Sequence, residues 1–247
     1  MVRGRVAEGG GSQRVNDAIV VFARLDSSRL PGKALKPIAG KLLIDRVIAR
    51  CRAVASHAPV IVATSDRVTD DPIADHVRRH DLPLFRGAAE DVAGRALACA
   101  EEHGLDLFVR ISGDSPFIDP ALIDRCLGRA RDGRADLVTN VFPRTYPAGV
   151  SVEAISVAAM RRIVEETDDG QDREHVTRYA YRRADRFEIE NLEAPDDRYA
   201  GLSLSVDTPM DHAKASWIFE TRGDDVDLDT AADAAREWQS RQSVAGT

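Results

Sequence analysis

The chain has 247 residues, enough to bury a substantial core in one large domain, and carries a formal charge of -7 with 30% charged and 43% hydrophobic residues. No apolar run approaches the roughly 20 residues that span a bilayer, so no membrane partner is expected, and an acidic chain without a wide basic stripe argues against nucleic acid. Cys51, Cys99 and Cys126 stand far apart, in neither a metal-ligand spacing nor an even disulfide set. Buried free thiols in a reducing cytoplasm are the expectation.

Residues 1–16 are rich in glycine and polar residues and lack an apolar stretch, so they read as a disordered leader rather than a secretory signal. The apolar run 18–22 (AIVVF) predicts a buried strand. Residues 42–54 place Leu43, Ile44, Val47, Ile48 and Cys51 at helical spacing. A strand follows over 59–64, then a helix over 70–80 with acids in its first turn and Pro72 near its start. Next come a short strand at 82–85, an alanine-rich helix at 90–103, a strand at 107–112, a helix at 120–131 and a strand at 136–141. This alternation predicts an α/β fold of three layers, a mostly parallel sheet with helices on both faces.

The pattern then loosens. Residues 150–155 predict a strand, 157–166 a helix and 173–183 a polar helix. Period-two segments at 187–192 and 202–206 predict strands, and 210–221 and 230–239 predict helices. Residues 17–240 therefore read as a single domain. The stretch 143–193 is expected to be an arm or lid inserted before the last core strand, and could pack across a two-fold axis to give a homodimer.

The chemistry concentrates at strand ends. After the first strand, residues 23–41 hold five cations (Arg24, Arg29, Lys33, Lys36, Lys41) against one acid, Asp26, on an otherwise acidic chain. A loop of cations, hydroxyls and a Pro-Gly turn at the carboxyl end of a buried strand suits a compact polyanion such as a phosphate chain. Asp114 follows the 107–112 strand between Gly113 and Pro116, and Asp207 follows the 202–206 strand. If those strands are neighbours, the two carboxylates can hold one Mg²⁺ over the cradled phosphates. Either Asp, taken alone, can equally cap a helix.

The acceptor side is less sharply marked. Tyr146, Pro147 and Gly149 form a turn before Glu153, a candidate for hydrogen bonds to sugar hydroxyls. Arg173, Glu174 and His175 are expected at a helix start, where an anion would meet both Arg173 and the helix N-terminus. His175 is a candidate proton acceptor, although a lone histidine there is more often structural. Glu90, Asp91 and Arg95 are candidates for base or ribose contacts, or else a solvated first turn with an Asp91–Arg95 pair. No Ser-His-Asp or Cys-His signature is present.

The run ARLDSSRLPGKAL resembles the phosphate loop of cytidylyltransferase-type sugar nucleotidyltransferases. The likeness extends through VATSD (62–66), DDPIA (70–74), FRGAAEDVAGR (85–95), RISGDSPFIDP (110–120), TYPAGVSVE (145–153), REHVT (173–177) and SVDTP (205–209). That set resembles the SpsF-like branch, named for spore-coat polysaccharide synthesis and related to synthetases of CMP-sugar acids. The resemblance implies a nucleotide-diphospho-sugar transferase fold of Rossmann-like, GT-A type. It also implies Mg²⁺-dependent transfer of a cytidylyl group from CTP to a sugar or sugar acid, with release of pyrophosphate. By position it assigns Arg24, Ser28, Arg29 and Lys33 to the triphosphate, with Arg24, Lys33 and Asp114 as catalytic candidates. Asp66 and Arg95 are further nucleotide candidates, Asp114 and Asp207 hold the metal, and Tyr146, Glu153, Arg173, Glu174 and His175 face the acceptor. Leu25-Asp26 departs from the Met-Gly common in the family, so the Asp26 carboxylate is expected to turn outward or to contact the cation.

The triphosphate cradle is blind to the base, so a nucleotidyltransferase using another base or a sugar-phosphate acceptor is the alternative. A metal-dependent glycosyltransferase of related fold would carry Asp-X-Asp where this chain has Gly113-Asp114-Ser115. A non-enzymatic nucleotide binder ranks last, because every proposed phosphate and metal group is present.

Overall fold

In the computed structural model, which describes residues 15–245, all six residues of β1 (Asp17–Phe22) are buried. β1 lies inside a seven-stranded sheet with β4 (Val60–Ser65), β5 (Leu84–Gly87), β6 (Leu107–Ser112), β7 (Leu137–Thr139), β8 (Glu153–Ser156) and β9 (Ile189–Asn191), in the order β5-β4-β1-β6-β8-β7-β9. A separate two-stranded ribbon is formed by β2 (Pro37–Ile38) and β3 (Lys41–Leu42). β8 runs antiparallel to both of its neighbours, while the β1–β4, β4–β5, β1–β6 and β7–β9 pairs are parallel. The sheet is thus mostly parallel, as expected.

Alternation along the strands sends side chains to two cores. Ile19, Val21, Val109 and Ile111 pack with α1 (Leu43–Arg52), α4 (Pro120–Arg131), α8 (Pro209–Arg222) and α9 (Leu228–Ala245). Val20, Phe22 and Phe108 pack on the other face, with α3 (Val92–Glu102) and α5 (Val157–Glu166). A smaller cluster lies under α2 (Asp71–Arg79) through Ile73 and Val77. Each face of the sheet is buried by a helical layer, which is why β1 and β4 read as unbroken apolar runs. Among the described residues no helix is long and apolar enough to cross a membrane.

Two expectations are corrected. Segment 202–206 is no sheet strand: among the described residues it forms a single isolated bridge, Ala148 to Ser203. Its alternation arises because Leu202, Leu204 and Val206 are buried in the core beside α4 and α8. The polar helix expected over 173–183 is two short helices, α6 (Gly170–Glu174) and α7 (Arg178–Arg182). They are broken at the buried Val176, whose φ of +48° is costly for a β-branched residue. The stretch 143–193, expected as an inserted arm or lid rather than an independent domain, supplies β8 between β6 and β7 and β9 at the sheet edge.

Of the leader expected over 1–16, residues 1–14 lie outside the described residues. Asn16 is fixed, its backbone N–H donating to Asp106 (3.0 Å) and its side chain to the Gly104 carbonyl (2.7 Å).

Candidate active site

The loop after β1 closes on itself. Gly32 takes φ +70° and donates its N–H to the Leu25 carbonyl (2.9 Å), pinching residues 25–32 into a compact turn that delivers Lys33. A residue that sequence reasoning placed only in a helix start holds the loop from behind. Asp70 is fully buried, accepts the Leu25 N–H at 2.7 Å and also bonds the Ser65 hydroxyl.

At the end of β6, Gly113 brings the chain against β1. Its N–H donates to the Phe22 carbonyl (2.8 Å), and a Cβ added there would stand 2.9 Å from both Phe22 O and Ala23 Cβ. This contact places Asp114 beside the loop. The 203–207 segment joins them because Val206 N–H donates to the Asp114 carbonyl (3.0 Å). Asp114 and Asp207 are therefore neighbours, through a strap across the β6 end rather than through adjacent strands.

Lys33 Nζ sits between the two carboxylates, 2.7 Å from Asp114 and 2.9 Å from Asp207. Arg29 reaches the same Asp207 oxygen at 3.1 Å. Burial works to raise the Asp207 carboxyl, but the hydrogen bond and charge of Lys33, with Arg29, hold it below the usual carboxylate range. The place between the carboxylates is one where a cation is stable. Asp26 turns to Arg24 Nε (3.2 Å) and to Arg67, and Arg24 also reaches Glu174 (3.3 Å).

These groups line a cleft of about 440 Å³. Arg24, Ser28, Arg29, Lys33, Arg95, Asp114, Glu174, His175 and Asp207 all border it. Its polar character follows from the loop cations on one side and the α6 end on the other.

Six candidates lie outside that lining: Asp66, Glu90, Asp91, Tyr146, Glu153 and Arg173. Asp66 is exposed, and its N–H extends the β4–β5 pairing to Gly87 O (2.9 Å). Tyr146 is buried and stacks on Tyr199 at 5.5 Å. Arg173 ties α6 to α3 and α5, donating to Asp91 (3.0 Å) and to the Val164 and Thr167 carbonyls. Glu153 is 3% exposed and accepts from Arg110, Thr177 (2.6 Å) and Tyr181 (2.6 Å). Glu174 and His175 form the end of α6, not the helix start expected there. Asp91 caps α3 through Gly94 N–H (2.7 Å) and pairs with Arg173 rather than Arg95.

Arg110 borders the cleft and was not singled out in the sequence. The signal was there: a charged residue interrupting an apolar strand, LFVRIS, two positions before Ser112 and hence on its face.

The chain is 29% identical over 222 residues to the spore coat polysaccharide biosynthesis protein SpsF of Bacillus subtilis (strain 168), covering 87% of this chain and 91% of that one. A 3-deoxy-manno-octulosonate cytidylyltransferase of Brucella suis is 32% identical over 190 residues, 70% of this chain and 74% of the relative. The fold matches that of a cytidylyltransferase from Leptospira borgpetersenii with a TM-score of 0.83, at 23% identity and over 94% and 97% of the two chains. Residues 18–214 match the cytidylyltransferase family profile, and the chain belongs to the cytidylyltransferase family.

Proposed function

We propose that this cleft transfers the cytidylyl group of CTP to a hydroxyl of a sugar acid, releasing pyrophosphate, to supply an activated sugar for a surface polysaccharide or glycoconjugate. The observation that carries the reading is the convergence of Lys33, Arg29, Asp114 and Asp207 at the carboxyl end of β1 and β6. The polysaccharide and sugar-acid context comes from the relatives, SpsF and the octulosonate enzyme.

Arg24, Ser28, Arg29 and Lys33 bind the triphosphate, the arginines through planar forks and the lysine as a point charge. Asp114 and Asp207 fit Mg²⁺: both are hard oxygen donors open to the cleft, and the space between them already stabilises the Lys33 ammonium. Mg²⁺ needs one or two carboxylates besides phosphate oxygens and water. When bound, it would neutralise phosphate charge and orient the α-phosphate.

In the transfer the acceptor oxygen bonds to the α-phosphorus while the bond to the bridging oxygen of pyrophosphate breaks. The departing oxygen keeps that electron pair. The hydroxyl proton passes to a base, for which His175 is the candidate: it is exposed, borders the cleft and its imidazole makes no hydrogen bond among the described residues. Positioning and charge stabilisation then carry the rate, without a covalent intermediate.

Calorimetric titration with CTP, UTP, GTP and ATP, each with and without Mg²⁺, tests the reading. Selective CTP binding strengthened by Mg²⁺ is expected. Preference for another base would replace the cytidylyl assignment, and no binding at all would remove it.

A further inference from the structure

All four oxygens of the Asp114 and Asp207 carboxylates already have donors. Lys33 Nζ donates to Asp114 Oδ2 (2.7 Å) and to Asp207 Oδ1 (2.9 Å), and Arg29 stands 3.1 Å from that same Asp207 oxygen. The remaining two oxygens accept from the hydroxyls of Ser115 (3.3 Å) and Ser205 (3.2 Å). Two loop cations thus balance two carboxylates, and the cluster is neutral by itself.

Its members come from separate segments. Lys33 opens the short helical turn after Gly32, Asp114 follows β6, and Asp207 ends the 203–207 strap. The backbone beside the aspartates is pinned, Gly113 N–H to the Phe22 carbonyl and Val206 N–H to the Asp114 carbonyl. Lys33 instead carries its charge on a long flexible stem. Its ammonium can leave the pair while the loop and both carboxylates stay in place.

A divalent cation cannot join this arrangement. Mg²⁺ takes carboxylate oxygens at about 2.0–2.1 Å, inside the space that the ammonium fills at 2.7 and 2.9 Å. Like charges so close repel strongly, since the lysine side chain is only 14% exposed to screening water. Mg²⁺ added by itself would also leave the neutral cluster with its full charge in excess. A triphosphate reverses the balance, because it offers Lys33 and Arg29 phosphate oxygens in place of the carboxylates. The two aspartates are then short of counter-charge, which a divalent cation supplies.

We propose that Lys33 is an internal counter-ion that makes metal entry between Asp114 and Asp207 conditional on the nucleotide. Its ammonium swings from the carboxylate pair to the phosphates as the triphosphate docks. Metal and nucleotide are thereby coupled, and by linkage each strengthens binding of the other by the same factor. The inference deepens the cytidylyl-transfer reading above and rests on it.

The chain has only four lysines, Lys33, Lys36, Lys41 and Lys214, so NMR of the full chain with isotope-labelled lysine gives a simple spectrum. The Lys33 signal is identified by its loss in Lys33→Arg, or by elimination through the other three Lys→Arg variants. It is expected to stay in place with millimolar Mg²⁺ alone at matched ionic strength, and to move with CTP and Mg²⁺ together. A shift with Mg²⁺ alone would overturn the proposal. So would an unmoved signal under conditions where calorimetry shows CTP bound.

Electron spin resonance with Mn²⁺ as the probe reads the metal directly. Without nucleotide, Lys33→Met is expected to bind Mn²⁺ roughly tenfold or more tightly than the wild type. Lys33→Met combined with Asp114→Asn should lose that gain. Equal Mn²⁺ affinity in wild type and Lys33→Met, or a gain that survives Asp114→Asn, would overturn the proposal. A thermal melt checks that Lys33→Met is folded, and Lys33→Gln carries the same expectation if it is not. These Mn²⁺ titrations need no nucleotide, so failure of CTP to bind sinks the cytidylyl-transfer reading separately.

Discussion

Lys33, one of the five loop cations, has a side chain only 14% exposed and shared by two carboxylates. Removing it leaves Asp114 and Asp207 facing each other with water still able to reach them. Lys33→Ala should therefore lower stability by about 1 kcal/mol or less, while weakening CTP binding far more, as calorimetry would register. On the proposed reading, Asp114→Asn and Asp207→Asn are each expected to cut turnover about 10²–10³-fold, since each removes one of the two carboxylates that would hold the Mg²⁺. Near-normal turnover in either variant would remove that residue from the site. Because Lys33 and Arg29 depress Asp207 in the folded chain, its contribution to stability is fully present above its unfolded value of 3.8. That contribution is lost as pH falls through the lower folded value.

At the scale of elements, the site depends on three segments that must meet at the ends of β1 and β6. Gly149 sits at φ +85°, and a Cβ there would overlap the backbone of Leu204 and Ser205. Gly149→Ala should thus push the 203–207 strap away, taking Asp207 with it. The expected outcome is a stability loss of more than about 1 kcal/mol in urea titration together with lost turnover. Full activity in that variant would show that the strap does not set the Asp207 position. Glu153→Ala leaves the Arg110 charge uncompensated behind the cleft, and a loss of about 3–5 kcal/mol is expected. Glu153 is depressed when folded, so its stabilisation holds above its unfolded value of 4.5 and fades as pH drops below it. Acid titration of the wild type against Glu153→Gln would show the difference narrowing in that window.

For the molecule as a whole, two helical layers seal the sheet, and the three cysteines lie inside them. Cys51, Cys99 and Cys126 are 0% exposed, and burial pushes each thiol up to about 12. A thiol reagent at neutral pH should label none of the three in the native protein and all three in denaturant. Labelling before unfolding would mean that one helical layer opens.

The α/β architecture was legible from the sequence because both faces of the sheet are buried, so β1, β4 and most of β6 read as apolar runs and the covering helices read as amphipathic. The compact charged loop after β1 was legible too, since a charged turn directly after a buried strand leaves few places for the charges to go. The 202–206 segment misled because period two reports which side chains are buried, not whether the backbone is paired in a sheet. The break at Val176 had no local signal, as a β-branched residue is the last expected at positive φ. Only the tertiary structure decided that Asp114 and Asp207 share Lys33, that Glu153 is committed to Arg110, and that Tyr146, Arg173 and Asp66 stand outside the cleft. Those are relations between residues dozens of positions apart. They are set by packing across the sheet, which no local spacing in the chain encodes.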